Sequence, residues 1–367
     1  MTGRRCRGCG SDQLDIVLDL HSVPAADQFP QNASAGSDDA RHPLAMVLCG
    51  RCALAQLADD DTVADEPRGI EPQALTDQAA EAVAVVAGSG WLRGSTVREF
   101  GSPHGGTWLP LLSDRGVDEV APGQRADVVL DCFGIMHEPD QADAFAVRAA
   151  SLAEDGVLLI QFHTLSAIVR EGQWNALRHG HFAYYSLTSL THLLAGVGLV
   201  ARSAWTFELY GGTILLAATR TGVPDASVRE ILDVERAAGI DDAETVGALH
   251  SAAETDRTML HDSLVELKSA GKVVFAYGAA SRAVALFAMA GLTRSLLAGV
   301  ADASPSKQGR RMPGTDIPII SPAELVAAQP DVVLLTLPDL LGELDASIPE
   351  LRGRWWLHGT DIREGTR

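Results

Sequence analysis

The sequence predicts an α/β protein in which a small metal-binding module precedes two larger α/β domains. Two C-x-x-C pairs lie near the amino terminus, short buried strands alternate with helices, and two strands run into glycine-containing turns. Alternating strands and helices are typical of a mostly parallel sheet, and ligands bind at the carboxyl edge of such a sheet. A chain of 367 residues also exceeds the size of one ordinary domain.

The composition fits a globular protein and excludes several classes of partner. Hydrophobic residues make up 46% and charged residues 21% of the chain, as in ordinary soluble domains. The net charge of −19 argues against nucleic acid and anionic membranes as partners. No segment reads as a membrane span or a signal peptide. We therefore expect a cytoplasmic protein, whose oligomeric state the sequence leaves open.

The first module, predicted over residues 1–65, contains four cysteines in two pairs: Cys6 and Cys9, and Cys49 and Cys52. In a reducing compartment this spacing favours a metal over disulfides. Two such knuckles supply four thiolates to a tetrahedral Zn²⁺ and leave no position for water, so the predicted zinc is structural. The alternative is four buried cysteines without a metal.

The second domain, predicted over residues 66–222, begins the alternating pattern. Its predicted helices cover 73–90, a short stretch from 107, 142–152 and 187–195; its predicted strands cover 97–100, 128–131, 156–161, 201–207 and 213–218. The strand at 97–100 runs into a turn with glycines at 101, 105 and 106, and the next buried strand begins at residue 126. A nucleotide-binding fold places a helix, a strand with a ribose-binding acid and often a further helix and strand in that interval. This sequence has room for one short helix and one short strand, which predicts a truncated cofactor site.

A helical connector is predicted over residues 223–270, and a further α/β domain over 271–367. Its strands are predicted at 272–277, 296–300 and 331–335, with a helix at 282–290. Tyr277 and Gly278 end the first strand, Arg282 begins the helix, and Lys307 follows later. These residues are candidates for binding a substrate phosphate, although exposed basic residues are an equally good interpretation.

A short segment concentrates proton-carrying side chains: His179, His181, Tyr184 and Tyr185. An imidazole with a pKa near 6.5 suits general acid and base catalysis at neutral pH. His181 is therefore the first candidate, against the alternative of a structural histidine. Arg178, which precedes the segment, either binds an anionic group or an enolate, or lies on the surface.

Taken together, the motifs resemble the bacterial S-adenosylmethionine-dependent sugar C-methyltransferases that act on thymidine-diphosphate keto-deoxysugars. The matching segments are the two cysteine pairs, 23–29, 99–102, 186–190, 211–213, 277–279, 307–309, 313–314 and 317–319. The resemblance implies a zinc-binding module, a class I methyltransferase-like domain and a C-terminal Rossmann-like domain. It implies cofactor contacts from Glu99, Gly101 and Gly105, and makes His181 the base that removes a proton beside a ketone. His137 is a further retained histidine.

The sequence departs from the family where the chemistry takes place. Pro103 and His104 replace Asn and Asp in the cofactor motif, and the nearest candidates for the ribose-binding acid are Asp118 and Glu119. In the catalytic segment, Arg178 and Gly180 replace the tyrosine and the glutamate of the family's Y-H-E-H. These departures predict loss of S-adenosylmethionine dependence.

We therefore expect a biosynthetic enzyme that isomerises, eliminates or closes a ring in a small-molecule intermediate, either a keto-sugar or a polyketide. In this hypothesis His181 transfers the proton, and Arg178 and Tyr184 stabilise an oxyanion. One alternative is an active S-adenosylmethionine-dependent C-methyltransferase of a nucleotide deoxysugar. A second alternative is a non-catalytic binding partner, in which the histidines are dispensable.

Overall fold

A computed structural model describes residues 4–31, 39–62, 73–102 and 106–357. Its strands are β1 (Leu14–Pro24), β2 (Arg41–Cys49), β3 (Ala55–Leu57), β4 (Thr96–Phe100), β5 (Asp118–Glu119), β6 (Ala126–Cys132), β7 (Leu152–His163), β8 (Ala183–Tyr184), β9 (Val200–Phe207), β10 (Thr213–Thr219), β11 (Val274–Tyr277), β12 (Val300–Ala301), β13 (Ile319–Ile320), β14 (Val332–Leu335) and β15 (Trp355–Leu357). Its α-helices are α1 (Gln73–Gly88), α2 (Leu109–Ser113), α3 (Gln141–Ala150), α4 (Leu165–Arg170), α5 (Leu187–Gly196), α6 (Ala226–Ala238), α7 (Ala243–Ser269), α8 (Ser281–Met289), α9 (Pro322–Ala328) and α10 (Leu341–Ser347). The mixed α/β architecture confirms the predicted fold class.

The amino-terminal sheet has the strand order β1-β2-β3-β8 and is antiparallel. Its last strand comes from far along the chain, because Ala55 of β3 pairs with Tyr184 of β8. The candidate catalytic segment is therefore joined by backbone hydrogen bonds to the module that carries the cysteine pairs.

The central sheet has the order β5-β4-β6-β7-β10-β9. Its first four strands are parallel, whereas β10 runs antiparallel to both of its neighbours. The edge strand β5 has two exposed residues, and the chain passes from it into β6 through residues 120–125 alone. One short helix and one short strand thus fill the interval after the glycine turn, as the sequence predicts.

The carboxyl-terminal sheet is parallel, with the order β13-β12-β11-β14-β15. The strand predicted at 296–300 is shorter than expected, because the N–H groups of Leu296 and Leu297 donate to the carbonyl of Thr293 in a turn. The connector consists of two helices, α6 and α7, and the long α7 packs against both β1 and α8.

The hydrophobic core is continuous between the amino-terminal and carboxyl-terminal sheets. Leu18 and Leu48 belong to the same buried cluster as Leu260 of α7 and Val284 of α8. The carboxyl ends of β4, β6 and β7 face that of β11 across a cleft. None of the helices in the described ranges is long and apolar enough to cross a membrane.

Candidate active site and zinc centre

The four predicted zinc ligands form one cluster near the amino terminus. Their sulfur atoms all lie within 4.8 Å of one another, and the Cys6–Cys52 and Cys9–Cys49 sulfur pairs are each 3.6 Å apart. A tetrahedral zinc with Zn–S bonds of about 2.3 Å spaces its sulfurs by about 3.8 Å. Backbone turns hold both knuckles, since Gly10 donates to the carbonyl of Cys6 and Ala53 to that of Cys49. The donor set fits a closed, structural Zn²⁺.

The catalytic segment is attached to this zinc-binding module at several points. The N–H of Gly180 donates to the Asp60 carboxylate at 2.7 Å, and a ring nitrogen of His179 lies 3.1 Å from the carbonyl oxygen of Pro43. Leu57 donates its N–H to the carbonyl of Phe182 at 3.2 Å. The zinc-binding module therefore determines where residues 178–184 lie.

Most of the candidate residues line a single interdomain cleft of about 350 Å³. The cleft brings together Glu99, Gly101, His137, Arg178, His181, Tyr184, Tyr277, Gly278, Arg282 and Lys307. His179 and Glu119 do not line the cleft. His179 is buried against the zinc-binding module, and Glu119 is exposed on the edge strand β5. Gly105 lies outside the described residues.

At the centre of the cleft, Arg178 contacts the candidate base. Its Nε donates to Nε2 of His181 at 2.7 Å, and its Nη1 donates to the Ser281 hydroxyl at 3.1 Å. The ring of His137 meets that of His181 edge to face, with the ring centroids 4.3 Å apart. Because Nε2 of His181 accepts a hydrogen bond, the neutral imidazole carries its proton on Nδ1. One guanidinium thus links the base to the carboxyl-terminal domain.

A buried ion pair positions His137. The Asp131 carboxylate accepts the N–H groups of Gly134 and Ile135, each at 2.9 Å, and pairs with Arg148, whose Nε lies at 2.9 Å. These bonds fix the tight turn after β6 that carries His137, whose Nδ1 lies 3.0 Å from the carbonyl oxygen of Gly180. The turn after β6 and the backbone beside His181 therefore together hold His137.

Glu99 has a structural role in this conformation. Its carboxylate accepts the hydroxyl of Thr107 and the N–H of Trp108, the latter at 2.8 Å. It therefore fixes the segment that closes the glycine turn and leads into α2. Gly101, Ser102 and Gly106 remain on the cleft wall.

The tyrosines of the catalytic segment are both buried. The hydroxyl of Tyr184 accepts the N–H of Arg178 at 3.1 Å, and burial raises the pKa of this phenol well above its usual value. Tyr184 is thus a neutral residue that supports Arg178. The hydroxyl of Tyr185 donates to Gln141, away from the cleft.

Two polar residues from later in the carboxyl-terminal domain, Asp302 and Lys307, hold the glycine turn that follows β11. The N–H of Ala279 donates to Asp302 at 2.8 Å, and Lys307 Nζ donates to the carbonyl of Ala279 at 3.0 Å. The turn leads directly into α8, which begins at Ser281 beside Arg282. Tyr277, Gly278 and Lys307 therefore shape this wall of the cleft.

The cleft is also lined by two residue pairs that the sequence did not predict, Gln78 with Gln161 and Phe133 with Tyr210. Gln161 donates from Nε2 to Oε1 of Gln78 at 2.6 Å, while its own Oε1 and Nε2 of Gln78 are buried without a partner among the described residues. Phe133 and Tyr210 have φ values of 58° and 59° and contact each other edge to face. A signal existed for Gln161, since it is a polar residue near the end of the strongly apolar strand β7.

Comparisons with known proteins match two parts of the chain to domain families. Residues 6–64 match a family model described as a putative zinc-binding domain, and residues 208–352 match one described as the C-methyltransferase C-terminal domain. The C-methyltransferase NovU of Streptomyces niveus is 27% identical over 380 residues, which covers 90% of this chain and 88% of NovU.

Solved structures that are similar to the chain are methyltransferases with low overall similarity. A possible histamine N-methyltransferase from Thermotoga maritima is 17% identical, with a TM-score of 0.31, and the match covers 39% of this chain and 87% of that one. Magnesium protoporphyrin IX methyltransferase from Synechocystis is 12% identical, with a TM-score of 0.30, and the match covers 42% and 90%.

One matched model covers the amino-terminal module and the other runs from β10 of the central sheet through most of the carboxyl-terminal domain, and the alignment with NovU covers 90% of the chain. The cysteine cluster lies inside the matched zinc-binding domain, as this arrangement requires. The chain therefore matches both the zinc-binding domain and the C-terminal domain of C-methyltransferases, and it resembles one such enzyme over most of its length.

Proposed function

We propose that this enzyme removes a proton from a carbon beside a carbonyl group of a substrate bound in the interdomain cleft. The contact between Arg178 and His181 at 2.7 Å carries this proposal, because it places a fixed positive charge beside a titratable base. Guanidinium groups stay protonated and stabilise developing oxyanions. An imidazole accepts and returns protons at neutral pH.

The proton transfer uses residues on the cleft wall. A substrate carbonyl oxygen competes with Nε2 of His181 for the Arg178 guanidinium. Once Arg178 donates to that oxygen, the lone pair on Nε2 is free to accept the proton from the neighbouring carbon. The charge that develops on the oxygen is then stabilised by Arg178. His137 packs against His181 and restricts its ring orientation.

The comparisons favour methyl transfer to the resulting carbanion. They give less support to isomerisation, elimination or ring closure without a methyl donor, which the altered cofactor motif predicts. The relative NovU is named a C-methyltransferase and aligns with 90% of this chain. Keto-deoxysugar nucleotides are the substrates that the family resemblance implies. S-adenosylmethionine, when bound, supplies an electrophilic methyl group to such a carbanion.

The described residues fit only part of that cofactor. Gly101, Ser102 and Gly106 form an open turn, and the unpartnered Oε1 of Gln161 is suited to an ammonium group of the methionine end. At the adenosine end, β5 is a two-residue edge strand, and its carboxylates are exposed outside the cleft. Because the donor set is incomplete, we assign no catalytic step to the cofactor.

A second candidate function follows from the short segment at the adenosine end of the cofactor site. Isomerisation, elimination or ring closure of a keto-sugar or polyketide requires the same proton removal and no methyl donor. The chain returns from β5 to β6 through residues 120–125 alone, so the described chain has no strand or helix between these two strands to enclose an adenine. Loss of that apolar contact area is hard to compensate with single side chains.

The test is product analysis by mass spectrometry after incubation with a thymidine-diphosphate keto-deoxysugar, with and without S-adenosylmethionine. A product heavier by one methylene that requires the donor supports methyl transfer. An altered product of unchanged mass, or one lighter by water, without the donor supports the second candidate. Both require His181, so His181→Gln is expected to be inactive and the exposed His250→Gln active. Full activity of His181→Gln would refute the proposal.

A further inference from the structure

Two arginines lie close together in the cleft lining, although the whole chain has a net charge of −19 and Asp302 and Glu343 also line the cleft. Arg178 reaches this wall from the central domain and bonds to Ser281, the first residue of α8. Arg282 follows Ser281 on the same helix and also lines the cleft. Two guanidinium groups from different domains therefore lie in the cleft beside the start of α8.

Asp339 is the anionic residue that acts on Arg282 electrostatically, but the two form no ion pair. It is half-buried, and among the described residues it makes no hydrogen bond or ion pair that satisfies its five N–H donors. Burial and the nearby charge of Arg178 lower the pKa of Arg282 to about 10, while Tyr210 and the exposed Asp339 act more weakly in the opposite direction. A half-buried guanidinium beside a second one is electrostatically unfavourable.

His163 lies on the same part of the cleft wall. It lies at the end of β7 on the cleft wall, and its Nε2 is buried without a hydrogen-bond partner in the described ranges. Burial, together with the charges of Arg282 and Arg178, lowers the pKa of His163 to about 3, so the ring is neutral at physiological pH. The wall thus combines two repelling cations with a neutral polar ring, an arrangement that an oxyanion would stabilise.

We propose that Arg178, Arg282 and the Ser281 hydroxyl form an oxyanion-binding site for a carboxylate or phosphoryl group of the substrate. Guanidinium groups bind both kinds of oxyanion with paired N–H donors. Ser281 also stands in the first turn of α8, where the helix dipole favours negative charge. Arg178 contacts His181 as well, so the bound oxyanion lies beside the base.

The position of the site restricts the substrate class. An anionic group held by Arg178 sits close to the carbon that His181 deprotonates, so the substrate carries its charge near the reacting carbonyl. This statement about the substrate depends on the proposed function. The existence of the oxyanion site does not, because binding can be measured without turnover.

The test is calorimetric titration of the zinc-loaded protein with inorganic phosphate, pyrophosphate and malonate. We expect saturable binding that weakens by about tenfold or more in Arg178→Gln and in Arg282→Gln, because each removes a charge-assisted contact. The control Arg257→Gln, on the exposed face of α7, is expected to bind like the wild type. Tighter binding of malonate identifies a carboxylate site, and tighter binding of the phosphates a phosphoryl site.

Two results would overturn the proposal: absence of saturable binding of all three anions, or equal binding by Arg282→Gln and the wild type. Thermal melting separates a ligand-binding role from a structural one. Without anion, Arg282→Gln is expected to melt at the wild-type temperature or above it, since repulsion from Arg178 is relieved. A lower melting temperature would assign Arg282 a structural role instead. Anion binding without any turnover of ketones would contradict the proposed function and leave the oxyanion site intact. In that case His181→Gln should bind anions like the wild type.

Discussion

The carboxylate of Asp60 accepts the backbone N–H of Gly180 at 2.7 Å, which joins the zinc-binding module to the centre of the catalytic segment. Gly180 has a φ of 77°, a backbone region that glycine adopts without strain. Arg178 and His181 lie on either side of it and face the cleft. A residue outside the cleft thus positions both groups that the proposed reaction requires.

Removing this carboxylate should loosen the segment without unfolding the protein. For Asp60→Ala we expect a loss of about 1–3 kcal/mol in the free energy of unfolding, because a charged hydrogen bond is lost. Amide exchange at Gly180 should become faster. The control Asp59→Ala removes only an exposed pair with Arg4 and should cost at most about 1 kcal/mol. Unchanged exchange at Gly180 in Asp60→Ala would show that the bond does not hold the segment.

Removal of zinc should affect the cleft as well as the cysteine cluster. The cluster supports the turn that precedes β3, and β3 pairs with β8 beside the catalytic segment. Structural zinc binding is coupled to folding, so a chelator or Cys49→Ala should abolish amide protection in β3 and β8. Cys132→Ala, which alters a cysteine outside the cluster, should retain zinc. Intact protection of β8 in metal-free protein would contradict this coupling.

The sequence predicts local features well because they depend on residues close together in the chain. The cysteine pairs, the glycine turns and the apolar strand β6 all belong to this class. Pairing of β3 with β8 joins residues 55 and 184, and no local pattern encodes it. His179 lies four residues before β8, and its ring contacts the carbonyl oxygen of Pro43 in the amino-terminal sheet. The Arg178–Arg282 wall likewise forms only when two domains meet.

The ion pair of Asp131 and Arg148 should be sensitive to loss of one partner. Both side chains are buried, and the carboxylate also accepts two backbone N–H groups. Asp131→Ala leaves the half-exposed Glu138, 3.5 Å away, as the anionic partner of Arg148 among the described residues, and we expect a loss of about 3–5 kcal/mol in urea unfolding. Glu138→Gln should cost less than about 1 kcal/mol. Equal effects of both substitutions would show that the buried pair adds little.

Stability should depend on pH through His163. Burial and the charges of Arg282 and Arg178 lower its pKa from 6.5 to about 3 in the folded protein. Between these values the unfolded chain binds a proton that the folded chain does not, so the free energy of unfolding falls as the pH falls below 6.5 toward 3. Near pH 5 the expected loss is about 1–2 kcal/mol relative to pH 7.

Urea unfolding of the wild type and of His163→Asn at several pH values measures this contribution. Other histidines contribute equally to both proteins, so the difference between the two isolates His163. The pH-dependent part of the difference in free energy of unfolding should shrink as the pH rises through 6.5 and be absent well above it. An identical pH dependence in both proteins would show that His163 is not held neutral by its surroundings.

The most direct test of the proposed chemistry is deuterium uptake from solvent at the carbon beside the carbonyl, followed by NMR. The substrate is a thymidine-diphosphate keto-deoxysugar in D₂O, without a methyl donor. We expect uptake with the wild type and with His250→Gln, and a rate reduced by about 10²–10⁴-fold in His181→Gln. Uptake that is equally fast in His181→Gln, or uptake at the uncatalysed rate with the wild type, would contradict a proton-abstracting site in this cleft.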